Sequence, residues 1–219
     1  MTALPRPRCG RRRRRCARFR PRLVIFAKAP VAGSVKSRLA SQLGVAVATR
    51  FARQCAQALL ARVGFDRRWE TTIAATPFAH PCRFWPKGIA RCAQGPGDLG
   101  ERMQSIMASL PPGPLVIVGT DIPAIRAAHI AQAFRALGRH DAVFGPAGDG
   151  GYWLVGLRRR PSVPKAFCGV RWSSRHALAD TLANLKNRNV ALLAVLGNVD
   201  NAEDFFASAR RFGRRVLPP

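Results

Sequence analysis

LVIVGTDIP, residues 115–123, decides the fold class of this 219-residue chain. Its first five residues, Leu115–Gly119, form an uninterrupted apolar run that predicts a strand buried on both faces, as in a parallel sheet. Thr120 and Asp121 follow at the carboxyl end of this strand. Ligands of open α/β sheets bind beyond the carboxyl ends of the strands, so Asp121 is predicted to face a ligand.

Strands and helices are predicted to alternate on both sides of this stretch. Short apolar runs predict strands over 23–27, 71–75, 142–144, 152–157 and 190–196. Apolar residues at helical spacing predict five helices. They run from Val47 to Gly64, from Asp98 to Leu110, over Ile130, Phe134 and Leu137 to an end at Gly138, from Ser173 or Ser174 through Leu185, and from Asn201 through Phe212. The segment 77–97 is predicted to be irregular. Because parallel strands need crossover connections, the alternation predicts a three-layer α/β/α domain with a mostly parallel sheet.

The chain carries a formal net charge of +26, and its basic residues are unevenly distributed. Ten of the 37 basic residues are arginines within residues 1–22. This segment has almost no large apolar side chains, so it is predicted to be a disordered Arg-rich tail before a single domain over 23–219. The 27 basic and 11 acidic residues of that domain suit an anionic ligand or a generally cationic surface.

The sequence lacks the patterns of export and of membrane insertion. The apolar run Leu23–Ala27 is interrupted by Lys28 and Pro30, which makes it too short for a signal peptide. No apolar run reaches the roughly 20 residues that cross a bilayer. The six cysteines form no C-x-x-C pair and no zinc-type spacing, so they are predicted to be free thiols of a cytoplasmic protein.

A carboxylate at the end of a buried strand needs a metal, a hydrogen-bond donor or solvent. Magnesium prefers one or two carboxylates together with phosphate and water oxygens, so Asp121 needs one further acidic ligand. Asp200 also ends a predicted strand and is the candidate for that second ligand. Two alternatives stay open: Asp121 could cap the helix after Pro123, and Asp200 could cap the last helix.

Basic side chains surround a glycine in the first predicted loop. Lys28, Lys36 and Arg38 flank Gly33, where a small residue lets the backbone approach phosphates and cations neutralise them. The loop is neither a Walker loop nor a G-x-G-x-x-G turn. Three solvated cations on a basic protein are the alternative interpretation.

A second glycine-rich segment, GPAGDGGYW at 145–153, places Asp149 between glycines just before an apolar strand. Glycines at such a place admit a ligand close to the backbone, and they would expose the carboxylate of Asp149. An ordinary turn between two strands is the alternative.

Together these segments resemble a known group of enzymes. The segments are FAKAP at 26–30, GSVKSRL at 33–39, QGPGDLGERM at 94–103, GTDIP at 119–123 and GPAGDGGY at 145–152. They resemble the GT-A-fold nucleotide-diphospho-sugar transferases and, within them, the bacterial radical-SAM/selenodomain-associated transferases. Ser37 replaces the usual threonine. VDNAEDF at 199–205 resembles the closing D-T-P-E-D-L element of nucleotidyltransferase relatives, from which Asn201 and Ala202 depart.

The resemblance implies a fold and a set of site residues. It implies a GT-A-like fold over about residues 22–212 and a divalent metal, Mg²⁺ or Mn²⁺, at Asp121 and Asp200. The implied catalytic residues are Asp121, Asp149 and Lys36. The implied nucleotide- and phosphate-binding residues are Lys28, Gly33, Lys36, Arg38, Gln94, Gly95 and Asp98, and Gly150, Gly151 and Tyr152 are implied on the acceptor side.

Three activities are compatible with these residues. The first is a metal-dependent glycosyltransferase that uses a nucleotide-diphosphate sugar and a small-molecule acceptor. The second is a nucleotidyltransferase that acts on a nucleoside triphosphate and releases pyrophosphate, because the GT-A scaffold hosts both reactions. The third is a nucleic-acid-binding protein driven by the basic tail, which no recognition motif supports. The sequence leaves the nucleobase, the sugar and the acceptor open.

Overall fold

Seven strands form one sheet in the computed structural model of the chain, which describes residues 19–79, 84–160 and 162–212. The strands in chain order are β1 (Arg22–Lys28), β2 (Glu70–Thr76), β3 (Ala90–Ala93), β4 (Leu115–Gly119), β5 (Ala142–Pro146), β6 (Tyr152–Leu157) and β7 (Val190–Leu192). Their order across the sheet is β3-β2-β1-β4-β6-β5-β7. Only β6 runs antiparallel to its neighbours, so the predicted mostly parallel sheet is confirmed.

Six helices connect these strands in the described part of the chain. They are α1 (Ser37–Leu43), α2 (Val45–Val63), α3 (Leu99–Ser109), α4 (Ala127–Leu137), α5 (Ala177–Ala183) and α6 (Ala202–Phe212). None of them combines the length and the apolar composition needed to span a bilayer.

Strand β4 is buried on both faces because helices cover both faces of the sheet. Val116 and Val118 pack with the cluster that contains α2 and α4, whereas Leu115 and Ile117 pack with the cluster that contains α3. All four side chains are almost completely inaccessible. The uninterrupted apolar run that predicted this strand therefore has a direct physical cause.

Several predicted boundaries differ from the structure. Strand β3 lies inside the segment that was predicted to be irregular, and β7 ends at Leu192 rather than at 196. Helix α5 starts after His176, so neither Ser173 nor Ser174 is its cap. Instead, Ser174 accepts a hydrogen bond from the backbone N–H of His176 and forms a turn before the helix.

The start of the domain also differs from the prediction. The Arg-rich tail was predicted over 1–22, and residues 1–18 of it lie outside the described part of the chain. Arg22 is the first residue of β1 and forms an ion pair with Glu70 of β2. The Arg160 guanidinium lies 3.4 Å from the centre of the Phe19 ring. The domain therefore begins before residue 23.

Candidate active site

A cleft of about 860 Å³ opens at the carboxyl ends of β1 and β4. Helix α1 packs on α2 and α6, and α2 covers one face of the sheet. Helix α3 covers the other face, so the cleft lies between two walls. We call them the α1 wall (Lys36, Ser37, Arg38, Asn198 and Asp200) and the α3 wall (Leu99, Arg102, Met103, Trp172, Ser173, Ser174 and Arg175). Asp121 lines the cleft from the end of the central strand β4.

The structure brings most of the predicted site residues to this one cleft. The predicted residues that line it are Lys28, Lys36, Arg38, Gln94, Asp121, Asp149, Gly151, Tyr152 and Asp200. Four predicted residues do not line the cleft: Gly33, Gly95, Asp98 and Gly150. Residues from distant segments thus share one site because their strands end at the same edge of the sheet.

Lys36 lies at the centre of the charged groups. Its ammonium group donates hydrogen bonds to the carbonyl oxygen of Val199 at 2.7 Å and to Oδ1 of Asp200 at 2.8 Å. Its Nζ lies 3.3 Å from Oδ1 of Asp121. The side chain is only 6% exposed, so Lys36 is not a solvated surface cation.

Two opposing effects act on the protonation of Lys36. Burial lowers the pKa of its ammonium group, whereas the carboxylates of Asp121 and Asp200 raise it, and the net effect is a raised pKa. Lys36 is therefore a permanent cation at neutral pH, held between two carboxylates.

The carboxylate of Asp121 is the most exposed member of this group. Its side chain is 58% exposed, and within the described ranges Lys36 is its one ion-pair partner. Helix α4 begins after Arg126, so Asp121 does not cap that helix. The helix-cap alternative is therefore wrong for Asp121, and its second oxygen is available to a ligand.

Asn198 connects the other two carboxylates and was not among the predicted site residues. Its Nδ2 group donates to Oδ2 of Asp149 at 2.9 Å and to Oδ2 of Asp200 at 2.5 Å. A side-chain amide has two N–H donors, so it serves both acceptors at once. No motif singled it out, and its position two residues before Asp200 was the one available signal.

Asp149 combines the turn and the site that were considered as alternatives. Its Oδ1 accepts a hydrogen bond of 2.9 Å from the backbone N–H of Gly151, as in a local Asx turn. Its Oδ2 accepts the bond from Asn198. Asp149 is thus fixed in orientation while its side chain lines the cleft.

Gln94 has a structural function at the edge of the cleft. Its Nε2 group donates to the carbonyl oxygen of Ala27 at 3.2 Å and to that of Ala74 at 2.9 Å. The buried side chain thereby joins the ends of β1 and β2. Lys28 directly follows Ala27, so Gln94 stabilises the backbone that carries this exposed cation.

Asp98 is the N-terminal cap of α3, with Oδ1 accepting from the backbone N–H of Glu101 at 2.8 Å. Its place among the phosphate-binding residues stays a prediction. We expect Asp98→Ala to lower the free energy of unfolding by about 1 kcal/mol, because the helix N-terminus loses an acceptor. Asp98→Asn, which keeps the cap, should stay near wild type in urea unfolding. Unchanged stability of Asp98→Ala together with weaker nucleotide binding would instead assign Asp98 to the ligand.

Asp121 and Asp200 are the two residues predicted to hold a divalent cation. Both contact the same ammonium nitrogen, so their Oδ1 atoms are at most about 6 Å apart. No group of three or more histidine, cysteine, aspartate or glutamate side chains converges within the residues that the structure describes. Two carboxylates suit Mg²⁺ or Mn²⁺, ions that take their remaining oxygens from substrate phosphates and water.

Solved structures share this architecture. A protein provisionally described as a nucleotide-diphospho-sugar transferase, from Desulfovibrio desulfuricans G20, is 27% identical, with 87% of each chain covered and a TM-score of 0.79. Rv0371c from Mycobacterium tuberculosis H37Rv, in complex with manganese, is 18% identical over 91% of this chain and 98% of its own, with a TM-score of 0.53. CMP:2-keto-3-deoxy-manno-octonic acid synthetase in complex with CTP is 11% identical over 88% and 98%, with a TM-score of 0.54. The last two show the fold alone.

A comparison with curated protein sequences gave no match. A family model, in contrast, matches residues 46–174, which is more than half of the chain and includes Asp121, Asp149 and the α3 wall up to Ser174. The chain therefore belongs to the bacterial protein family DUF2064, whose description reads "uncharacterized protein conserved in bacteria".

Proposed function

We propose that this protein is a metal-dependent glycosyltransferase that uses a nucleotide-diphosphate sugar as donor. The observation that carries the proposal is the exposed carboxylate of Asp121 at the end of β4, held by the buried cation Lys36 in a cleft that Lys28 and Arg38 also line. Neither Lys28 nor Arg38 has an ion-pair partner among the described residues, and carboxylates beside such cations in a cleft suit a metal-bound diphosphate.

The basic residues would act on the phosphates of the donor. Lys28 and Arg38 are exposed in the cleft and would neutralise the diphosphate as negative charge develops on it during transfer. Asp121 and Asp200 would hold the divalent cation, which when bound supplies further neutralisation of the diphosphate. Lys36 keeps both carboxylates in position by its contacts with them.

Asp149 would orient the acceptor. Each of its oxygens already accepts one hydrogen bond, from Gly151 and from Asn198, and each has a further lone pair. An acceptor hydroxyl that donates to this fixed carboxylate is positioned for attack on the sugar, and the carboxylate is placed to take its proton.

The relatives support a transferase that acts on nucleotide-containing substrates. The relative with the higher identity is described provisionally as a nucleotide-diphospho-sugar transferase, and the two with lower identity were solved with manganese and with CTP. The radical-SAM association that the sequence motifs imply stays a prediction.

Nucleotidyl transfer is the second candidate. The observation that favours it is the contact of Asp200 with the same ammonium group as Asp121, which places a second carboxylate next to the predicted metal ligand. Such a pair could hold a metal at the α-phosphate of a nucleoside triphosphate. The two reactions differ in their released product.

We expect Mn²⁺ together with a nucleoside diphosphate to raise the melting temperature of the protein more than either component alone, because ligands that bind only the native state stabilise it. A screen of nucleotides and nucleotide sugars by thermal shift identifies the base. Incubation with the matching nucleotide sugar and candidate acceptors should then release free nucleoside diphosphate.

Two results would contradict this expectation. Release of pyrophosphate from a nucleoside triphosphate would establish nucleotidyl transfer instead. A melting temperature that responds to no nucleotide in the presence of Mn²⁺ or Mg²⁺ would reject both reactions.

A further inference from the structure

The α3 wall carries a rigid loop that no predicted motif included. We call residues 166–176 the Trp172 loop. Asp180 of α5 accepts bonds from the backbone N–H of Arg171 at 3.1 Å and from its guanidinium group at 2.9 and 2.8 Å. Asn184 donates to the carbonyl oxygens of Ala166 and Cys168 at 3.0 and 2.7 Å. Both halves of the loop are therefore fixed to α5.

Two motif glycines let this loop approach the rest of the cleft. A Cβ atom on Gly100 would lie 2.7 Å from the Trp172 ring and 2.8 Å from the carbonyl oxygen of Phe167. A Cβ atom on Gly150 would clash with the backbone of Arg175, and Gly150 also has a φ of +83°. Gly100 and Gly150 thus seat the Trp172 loop, and for Gly150 this role differs from the predicted contact with a ligand.

Two arginines of the α3 wall have no acidic partner within the described ranges. The Nε of Arg102 donates to the carbonyl oxygen of Gly97 at 2.8 Å, which leaves its terminal N–H groups unused. Arg175 is exposed, and its Nε lies 3.4 Å from Nε2 of His176. Both arginines line the cleft, and a planar guanidinium group matches the geometry of a phosphate or carboxylate group.

Trp172 also lines the cleft and adds a flat apolar surface to the α3 wall. Its ring is fixed by Tyr152 and Phe167, at centroid distances of 6.3 and 6.4 Å. The indole Nε1–H is buried and has no acceptor among the described residues.

We propose that the α3 wall is the acceptor subsite and that the acceptor is an anionic compound with a phosphate or carboxylate group and a flat or apolar part. The anion binds to Arg102 and Arg175, and the apolar part packs on Trp172. Gly150, which directly follows Asp149, lies against the backbone of Arg175, so the proposed subsite adjoins the orienting carboxylate. This inference rests on the proposed transferase function.

Phenyl phosphate is a suitable probe because it combines an aromatic ring with a phosphate group, and benzoate is the matching carboxylate probe. We expect one of the two to quench the tryptophan fluorescence of the full-length protein, and Trp172→Phe should remove the quenching. Phenol and inorganic phosphate should each bind at least about tenfold more weakly.

Arg102→Gln and Arg175→Gln should each weaken binding of the probe about tenfold or more, because a charge-assisted contact is lost. Arg139→Gln, at an exposed arginine outside the cleft, should bind like wild type.

A second titration, with Mn²⁺ and nucleoside diphosphates, separates this inference from the proposed function. Arg102→Gln and Arg175→Gln should keep the wild-type affinity for Mn²⁺-nucleotide. Asp121→Asn should lose that affinity and retain phenyl phosphate or benzoate binding.

Equal weakening of nucleotide and probe binding by the arginine variants would assign the α3 wall to the donor and overturn the inference. Probe binding that is independent of both arginines would overturn it as well. Arginine-dependent probe binding without any nucleotide binding would retain the subsite and reject the proposed function.

Discussion

Asp121→Asn is expected to lower the transfer rate by about a hundredfold or more while the fold stays intact. The substitution keeps the shape of the side chain but removes the negative charge that would hold the cation against the phosphates. Because the Asp121 side chain is 58% exposed and caps no helix, its loss should change the melting temperature little. The measurement is nucleotide affinity with and without Mn²⁺, together with the turnover rate.

Asp66→Asn is the matched control for this experiment. Asp66 lies between α2 and β2, before the amino end of that strand, and its carboxylate pairs with Arg68. This variant should keep both metal-dependent affinity and turnover. If Asp121→Asn retains its metal-dependent nucleotide affinity, the proposed metal site is wrong.

Lys36→Met is expected to lower the free energy of unfolding by about 1–3 kcal/mol and to abolish most of the activity. The change removes the donor to the buried carbonyl of Val199 and leaves Asp121 and Asp200 without their shared cation. Position 36 has a left-handed backbone, with φ of 51°. Lysine and methionine are both unbranched at Cβ, so this backbone conformation should cost both residues about the same. Urea unfolding and turnover measure the two effects.

The pH dependence of this contribution follows from the raised pKa of Lys36. Folding raises that pKa above its ordinary value of 10.5, so the ion pairs contribute fully below that value and are lost as the pH rises through the folded pKa. The stability difference between wild type and Lys36→Met should therefore persist at neutral pH and shrink in strongly alkaline solution.

Lys28→Met is the control for the loss of a lysine in the same cleft. Lys28 is exposed and lines the cleft, so this variant should have the wild-type free energy of unfolding. We expect it to affect nucleotide binding only, by weakening it. Wild-type stability of Lys36→Met would contradict the structural role assigned to Lys36.

The strands that the sequence predicted well are those whose burial leaves a pattern. Strand β4 is covered on both faces and reads as an apolar run, and β6 beside it has the predicted bounds. Strand β3 has four residues, pairs with β2 alone among the described strands, and has three exposed side chains, so its sequence has no apolar pattern. A strand such as β3, which forms by hydrogen bonding to its neighbour, cannot be predicted from its own residues alone.

The candidate site was predictable where strand ends carry charged residues. Asp121, Asp149 and Lys36 were each identified from their own segment, and the structure brings them to one cleft. The burial of Lys36 was not predictable, because its partner Asp200 is 164 residues away in the sequence. Asn198 and the Trp172 loop were missed for the same reason, since their roles depend on packing between segments.

The contact between Lys36 and Asp200 also has a consequence for the order in which the molecule folds. A local hairpin such as β5–β6 closes a short loop, whereas this ion pair joins residues that are 164 positions apart and has a larger entropic cost before it forms. The cation and both carboxylates therefore come together only when the last segment before α6 has docked. A partly folded chain lacks this arrangement, so we expect the proposed nucleotide binding to require completed folding and to stabilise only the finished protein.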